Sequence, residues 1–309
     1  MTIQIYPDSR YPTSIVHFPP AKDYKITEDT PLFIWIPGNP GLLEYYTKML
    51  RSLHDKYPTW EILGVSHAGM SNGNQIKNVL STKVYTLDEQ VSHKVEVINN
   101  FSSPKRNIII MGHSVGAYMA QRVIMDSNLI GNVIKLGLVT PTVVDIHRSV
   151  KGIKMTRAFN LFRELPIFLG LLSTLAFSKL FPAIFTRWLL TIIMGCKNND
   201  NHAADASTVF LTNGSFVKQC LGLASHEMKH IRDDWNFQKR LIDYCNKENV
   251  STWFLFSSTD HWVSDDTRNE LINFYRTNCK SDILDVSVSN IIPHSFVINF
   301  SDFTVNSYF

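Results

Sequence analysis

The stretch NIIIMGHSVGAYMAQRVIM, residues 107–125, decides how the chain is read. Its opening run, Asn107 to Met111, is almost continuously apolar and β-branched, the pattern of a strand covered on both faces. GHSVG (Gly112 to Gly116) follows at once, and AYMAQRVIM then takes up a helical pattern. A G-x-S-x-G between strand and helix is a strained turn that lifts the serine Oγ clear of the sheet, and side chains at its two glycines would collide with neighbouring backbone. Ser114 is therefore the candidate nucleophile. The helix that starts behind it brings unpaired N–H groups and a positive dipole end to the same spot, making the Val115 N–H a candidate oxyanion donor.

Outward from this turn, short β-branched runs recur at spacings that leave room for a helix between them. They are LFIWI (Leu32 to Ile36), EILGV (Glu61 to Val65), VIKLGLV (Val133 to Val139), TWFLF (Thr252 to Phe256) and ILDVSV (Ile283 to Val288), while TIQIY and SIVHF near the start read as an antiparallel edge. Helical patterns cover Leu42 to Tyr57, Leu87 to Phe101, Gly116 to Asp126 and Asp266 to Thr277. Such alternation predicts a doubly wound, mostly parallel sheet with ligands bound beyond the carboxyl ends of its strands. Together with the serine turn it predicts the α/β class in its α/β-hydrolase form.

That form needs a second oxyanion donor, a base and an orienting acid. LFIWI ends in PGNPG (Pro37 to Gly41), whose small residues admit a substrate carbonyl; the Asn39 N–H is the candidate there, because Pro40 has none to give. Chain order puts the acid and then the base after the serine. Asp260, in SSTDHW just past TWFLF, is the expected acid, and His294, in NIIPHSFV after the last strand, the expected base. Asp145, after the preceding strand, is the alternative acid. His261 would point away if Asp260 faces inward, His113 is turned from the cleft by the serine turn, and His67 reads as a supporting residue. His226 and His230, i, i+4 in a helical pattern, are read as cap residues and not as a metal site, because the EMK between them is read as lacking the general-base position of the zinc-protease motif; no metal and no cofactor is expected.

Between about Thr140 and Val250 no convincing strand appears, which divides the chain into an α/β core (1–140 and 250–309) and a mostly helical, apolar cap insertion (141–249). Within the cap, residues 165–195 form an apolar block, LPIFLGLLSTLAFSKLFPAIFTRWLLTIIMG. Pro166 and Pro182 split it into stretches shorter than the roughly 20 residues that span a bilayer. Lys179 and Arg187 would be costly at a bilayer centre but can reach water from an interface. With Arg163, Phe181 and Trp188 they suggest helices lying in a lipid monolayer; a cap packed over the site is the plainer reading, and both can hold.

Composition narrows the partners. With 44% apolar and 18% charged residues the chain is globular and greasier than the usual quarter charged. Its formal charge of +3 is spread out, without a basic run that would suit nucleic acid. Cys196, Cys220, Cys245 and Cys279 stand far apart, as reduced thiols do. The N-terminal MTIQIYPDSRYPTS has no basic region followed by an apolar run, and the C-terminal NSYF no retention or prenylation signal, so the cytosolic face is expected.

PGNPG followed by EYY, then SHAG, GHSVGAY, TDHWV and HSFV resemble, in that order, the lipid-droplet-associated hydrolases, and the chain is similar to a fungal, yeast-type member. The resemblance covers about Leu32 to Val297. It implies Ser114, Asp260 and His294 as a catalytic triad, neutral lipid esters such as triacylglycerol or sterol ester as substrates, and residence on lipid droplets and also the endoplasmic reticulum. One departure is Pro37, where many hydrolases carry His before the oxyanion glycine. Two other functions use the same residues: a droplet structural or interaction protein with little hydrolysis, and an acyltransferase that resolves its acyl-enzyme with an alcohol.

Overall fold

In the computed structural model, which describes residues 3–71, 78–195 and 201–309, the expected strands join into one eight-stranded sheet. Cys196 lies outside the described residues. Along the chain run β1 (Gln4–Ile5), β2 (Ser14–Phe18), β3 (Leu32–Ile36), α1 (Thr47–Lys56), β4 (Glu61–Val65), α2 (Leu87–Asn99), β5 (Asn107–His113), α3 (Val115–Ile124) and β6 (Asn132–Val139). Helices α4 (Val150–Leu161), α5 (Leu165–Ser173), α6 (Ala183–Ile193), α7 (His202–Thr212), α8 (Gly214–His230) and α9 (Trp235–Glu248) follow, α5 continuing as a π-helix over Thr174–Leu180. The chain ends with β7 (Ser251–Ser257), α10 (Asp265–Asn278), β8 (Leu284–Ser289) and α11 (Ser301–Tyr308).

The strand order is β1-β2-β4-β3-β5-β6-β7-β8, parallel from β4 onward, with β1 and β2 antiparallel at one edge. This is the doubly wound, mostly parallel sheet that the pattern predicts. The continuous apolarity of the central strands has a simple cause. Leu32, Ile34 and Ile36 of β3 enter one core and Phe33 and Trp35 the other; Ile108 and Ile110 of β5 divide in the same way from Ile109 and Met111. Side chains that alternate between two buried faces leave no position for a polar residue.

Elements between β6 and β7 settle differently. α9 joins the layer of α3 and α10, where the Gln121 and Gln238 amides pair at 3.0 Å and the Tyr275 hydroxyl donates to Gln238 at 2.7 Å. α8 is tied to the core by Lys218, whose ammonium donates to the carbonyls of Val79 (2.8 Å) and Thr82 (2.6 Å), and by Gln219 on the backbone of Tyr85. α5 packs on α8 with glycine facing glycine: a Cβ on Gly214 would stand 2.1 Å from the Gly170 carbonyl oxygen. The second half of the apolar block, α6, is far less covered. Ile184, Trp188 and Ile192 of α6 are 79%, 58% and 58% exposed, and only Thr186 of that helix is buried. Among the described residues no single helix is long and apolar enough to cross a membrane; α4 and the helix from Leu165 to Leu180 meet at a 97° bend.

Candidate active site

β5 occupies the middle of the sheet, and its carboxyl end carries Ser114 above the strands on both sides. Ser114 has φ 55° and ψ −122°, a conformation that side chains avoid and that only a rigid surround maintains. Two close approaches provide it. A Cβ on Gly112 would stand 2.2 Å from the Gly116 carbonyl oxygen, and one on Gly116 would stand 2.3 Å from that of Ile36. Helix α3 and strand β3 thus press on the turn from either side, which is why both glycines are required.

His294 and Asp260 reach this serine from the far end of the chain. His294 Nε2 lies 3.0 Å from Ser114 Oγ, and its Nδ1 lies 2.7 Å from Asp260 Oδ2. The other carboxylate oxygen of Asp260 accepts the backbone N–H groups of Trp262 (2.7 Å) and Val263 (3.2 Å). Burial pushes the Asp260 pKa up, but the charge and hydrogen bond of His294 and the two N–H groups outweigh it and hold the carboxyl below its usual range. An ionised Asp260 must receive a proton from Nδ1, which leaves Nε2 bare to accept the serine hydrogen.

The other candidates are turned elsewhere. Asp145 faces Arg148 (3.2 Å) and His147 (3.6 Å). His261 is exposed beside the inward-facing Asp260. His67 is fully buried against Gly41, and both of its ring nitrogens lack a partner among the described residues. Burial, with Lys94 nearby, keeps that ring neutral well below its usual pKa.

His113 does more than point away. Its Nε2 donates to the His294 carbonyl oxygen at 2.8 Å, its Nδ1 accepts from the Tyr46 hydroxyl at 2.7 Å, and the Tyr46 oxygen accepts the Gly38 N–H at 2.9 Å. This chain ties the PGNPG loop, the serine turn and the His294 loop together. It needs a neutral imidazole, and burial lowers the His113 pKa to about 3. Tyr46→Phe would orphan two buried partners and should cost about 1–3 kcal/mol, read as a lowered denaturation midpoint.

Asn39 sits on the same loop, and neither its backbone N–H nor that of Val115 has a protein acceptor among the described residues. Its side chain donates to the Cys220 carbonyl (2.9 Å) and to Glu227 Oε1 (2.8 Å), both on α8. Glu227 occupies the general-base position that the sequence reading found lacking between His226 and His230. It belongs to HEMKH (226–230), which matches the H-E-x-x-H pattern of zinc proteases. Here the His226 and His230 rings stack on each other at 5.5 Å, and the Glu227 carboxyl is buried against Asn39. Among the described residues no third ligand completes a metal cluster.

A cavity of about 390 Å³ opens over Ser114 and His294, walled by Met155, Met194, Leu221, Ala224, Val297 and Ile298. Serine, imidazole and carboxylate in this order, beneath an apolar chamber, can carry out acyl transfer on an apolar substrate.

Solved structures of the same fold agree with the topology. A haloalkane dehalogenase from Agrobacterium tumefaciens superposes with a TM-score of 0.64 at 12% identity, covering 99% of this chain and 96% of its own. A serine hydrolase from a Cycloclasticus bacterium does so with 0.60 at 13% identity, covering 99% and 95%. Both support the α/β-hydrolase fold. At the level of sequence, the lipid droplet-associated hydrolase of Mus musculus is 28% identical over 299 residues, covering 89% of this chain and 82% of its own. That of Homo sapiens is 22% identical over 298 residues, covering 90% and 83%. The family model described as lipid-droplet associated hydrolase matches residues 29–297, which take in β3 to β8 together with Ser114, Asp260 and His294, and the chain belongs to that family.

Proposed function

We propose that this protein is a serine ester hydrolase that acts on neutral lipid esters, triacylglycerol or sterol ester, at the surface of lipid droplets. The observation that carries this reading is the Ser114, His294 and Asp260 chain of hydrogen bonds under an apolar cavity whose wall includes Met194, the residue that follows the exposed α6. Catalysis then follows two acyl-transfer steps. His294 Nε2 takes the proton of Ser114 as Oγ attacks the ester carbonyl, and the oxyanion rests on the N–H groups of Val115 and Asn39. His294 passes that proton to the leaving alcohol, and water repeats the cycle on the acyl-enzyme.

Of residues 141–249, expected as a cap over the core of 1–140 and 250–309, α9 joins the core layer instead; the helices before it act as the cap, and 165–195 as its lipid contact. Exposed Phe168, Leu172, Leu175, Ile184, Trp188 and Ile193 form more apolar surface than a soluble protein leaves uncovered without a reason. From Val150 to Gly195 stand Lys151, Lys154, Arg157, Arg163, Lys179 and Arg187 against one acid, Glu164, a balance suited to phospholipid headgroups. A helix bedded in the monolayer next to the cavity wall lets an ester pass from the lipid to Ser114 without crossing water.

The test is covalent labelling of the purified, lipid-reconstituted protein with a fluorophosphonate, with the adduct mapped by mass spectrometry. Labelling confined to Ser114 and lost in His294→Ala is expected. An unlabelled Ser114 would remove the hydrolase reading and leave a structural role at the droplet.

A further inference from the structure

Among the described residues, Glu227 is the one acidic side chain on the cavity that holds Ser114 and His294. It lies 188 positions from Asn39 along the chain, yet their side chains meet at 2.8 Å. Both hydrogens of the Asn39 amide go to α8, one to the Cys220 carbonyl and one to Glu227, and Asn39 Oδ1 has no partner among the described residues. Among the described residues the Asn39 side chain is therefore held by α8 alone. We infer that Glu227 is a positioning residue which, through the Asn39 side chain, holds the PGNPG loop so that the Asn39 N–H faces the oxyanion. The inference rests on the reading of that N–H as an oxyanion donor.

The loop is held from two sides that depend on different parts of the molecule. Gly38 is fixed from the core, through Tyr46 and His113. Asn39, one residue on, is fixed from α8, which belongs to the helical segment over the site and packs against the apolar α5. An oxyanion donor acts only when its N–H already points at the place where charge develops, and small displacements forfeit much of the effect. The hole is thus complete only while α8 is seated on the core.

The protonation of Glu227 matters to the same geometry. Burial pushes its pKa up to about 8, against the opposing hydrogen bond from Asn39. The titratable groups that share its cavity are Cys220 on α8, Tyr45 and Tyr46 beside the loop, His113 from β5 and His294 from the loop after β8. No Lys or Arg lines the cavity among the described residues. A neutral carboxyl accepts from Asn39 without adding negative charge next to a forming oxyanion, whereas an ionised one repels it. The sign follows directly: turnover falls as pH rises through about 8, the range in which Glu227 loses its proton.

Hydrolysis of p-nitrophenyl butyrate by the purified full chain tests this. Glu227→Leu is expected to lower kcat by about 10- to 100-fold with KM nearly unchanged. Glu227→Gln, which still accepts from Asn39 and cannot ionise, should retain the wild-type kcat at pH 7 and lose the decline above about pH 8. Asn39→Ala should match Glu227→Leu, and the double variant should be no worse than either, because the two side chains act as one device. A wild-type kcat in Glu227→Leu, a loss in Glu227→Gln as large as in Glu227→Leu, or multiplied losses in the double variant would each overturn the inference. If Glu227→Leu does not fold, Glu227→Gln and Asn39→Ala still decide it. Ser114→Ala in the same assay separates the two levels: turnover that survives it counts against the whole site, while a dead Ser114→Ala beside a fully active Glu227→Leu counts against Glu227 alone.

Discussion

Asp260→Asn is expected to lower kcat by about 10⁴ while leaving the fold and KM intact. The magnitude follows from the hydrogen bonds on each carboxylate oxygen. Oδ1 accepts two backbone N–H groups, from Trp262 and Val263, and an asparagine must answer them with its carbonyl oxygen. Its NH₂ then stands where Oδ2 was, 2.7 Å from His294 Nδ1. Nδ1 becomes an acceptor, the ring proton moves to Nε2, and Nε2 can no longer take the hydrogen of Ser114 3.0 Å away. Steady-state kinetics on a soluble ester, alongside a denaturation curve, measure the effect. Asp145→Asn is the control: its carboxylate faces Arg148 and His147, so kcat should not change. The opposite result, an active Asp260→Asn and an inactive Asp145→Asn, would reassign the acid.

The second large effect concerns attachment rather than chemistry. Changing Ile184, Trp188 and Ile192 together to Ser is expected to weaken binding to artificial droplets by about 10²- to 10⁴-fold, from some 3–5 kcal/mol of lost apolar transfer. These residues stand at i, i+4 and i+8 on α6, so they form one stripe, and all are more than half exposed in the protein alone. Flotation with droplets of triolein under a phospholipid monolayer reads the binding. Hydrolysis of a soluble ester should stay at the wild-type rate, because none of the three lines the cavity. Triolein hydrolysis should fall with attachment. A variant that floats as well as the wild type would move the lipid contact away from α6.

The two effects differ in how far sequence reaches. Apolar stripes and proline breaks are local, so the division of 165–195 into two stretches is readable; in the structure the helices run from Leu165 to Leu180 and from Ala183 to Ile193, on either side of Pro182. How much of that surface stays uncovered is not local. α5 is partly covered by α8 through the close meeting of Gly170 and Gly214, while α6 is left almost bare.

What the sequence by itself determined is everything that nearest neighbours and burial periodicity enforce. The central strands are legible because two buried faces exclude polar residues, and the serine turn because Gly112 and Gly116 have no space for a Cβ. Chain order narrowed the acid to two aspartates and favoured the last histidine. Only the tertiary structure decided which aspartate meets His294, since Asp145 and Asp260 both follow strands and differ only in what faces them. It also made Tyr46, His113 and Glu227 part of the site. Their hydrogen bonds join residues 67, 181 and 188 positions apart, and such pairings carry no local pattern because they arise only when the sheet and its covering helices close on one another.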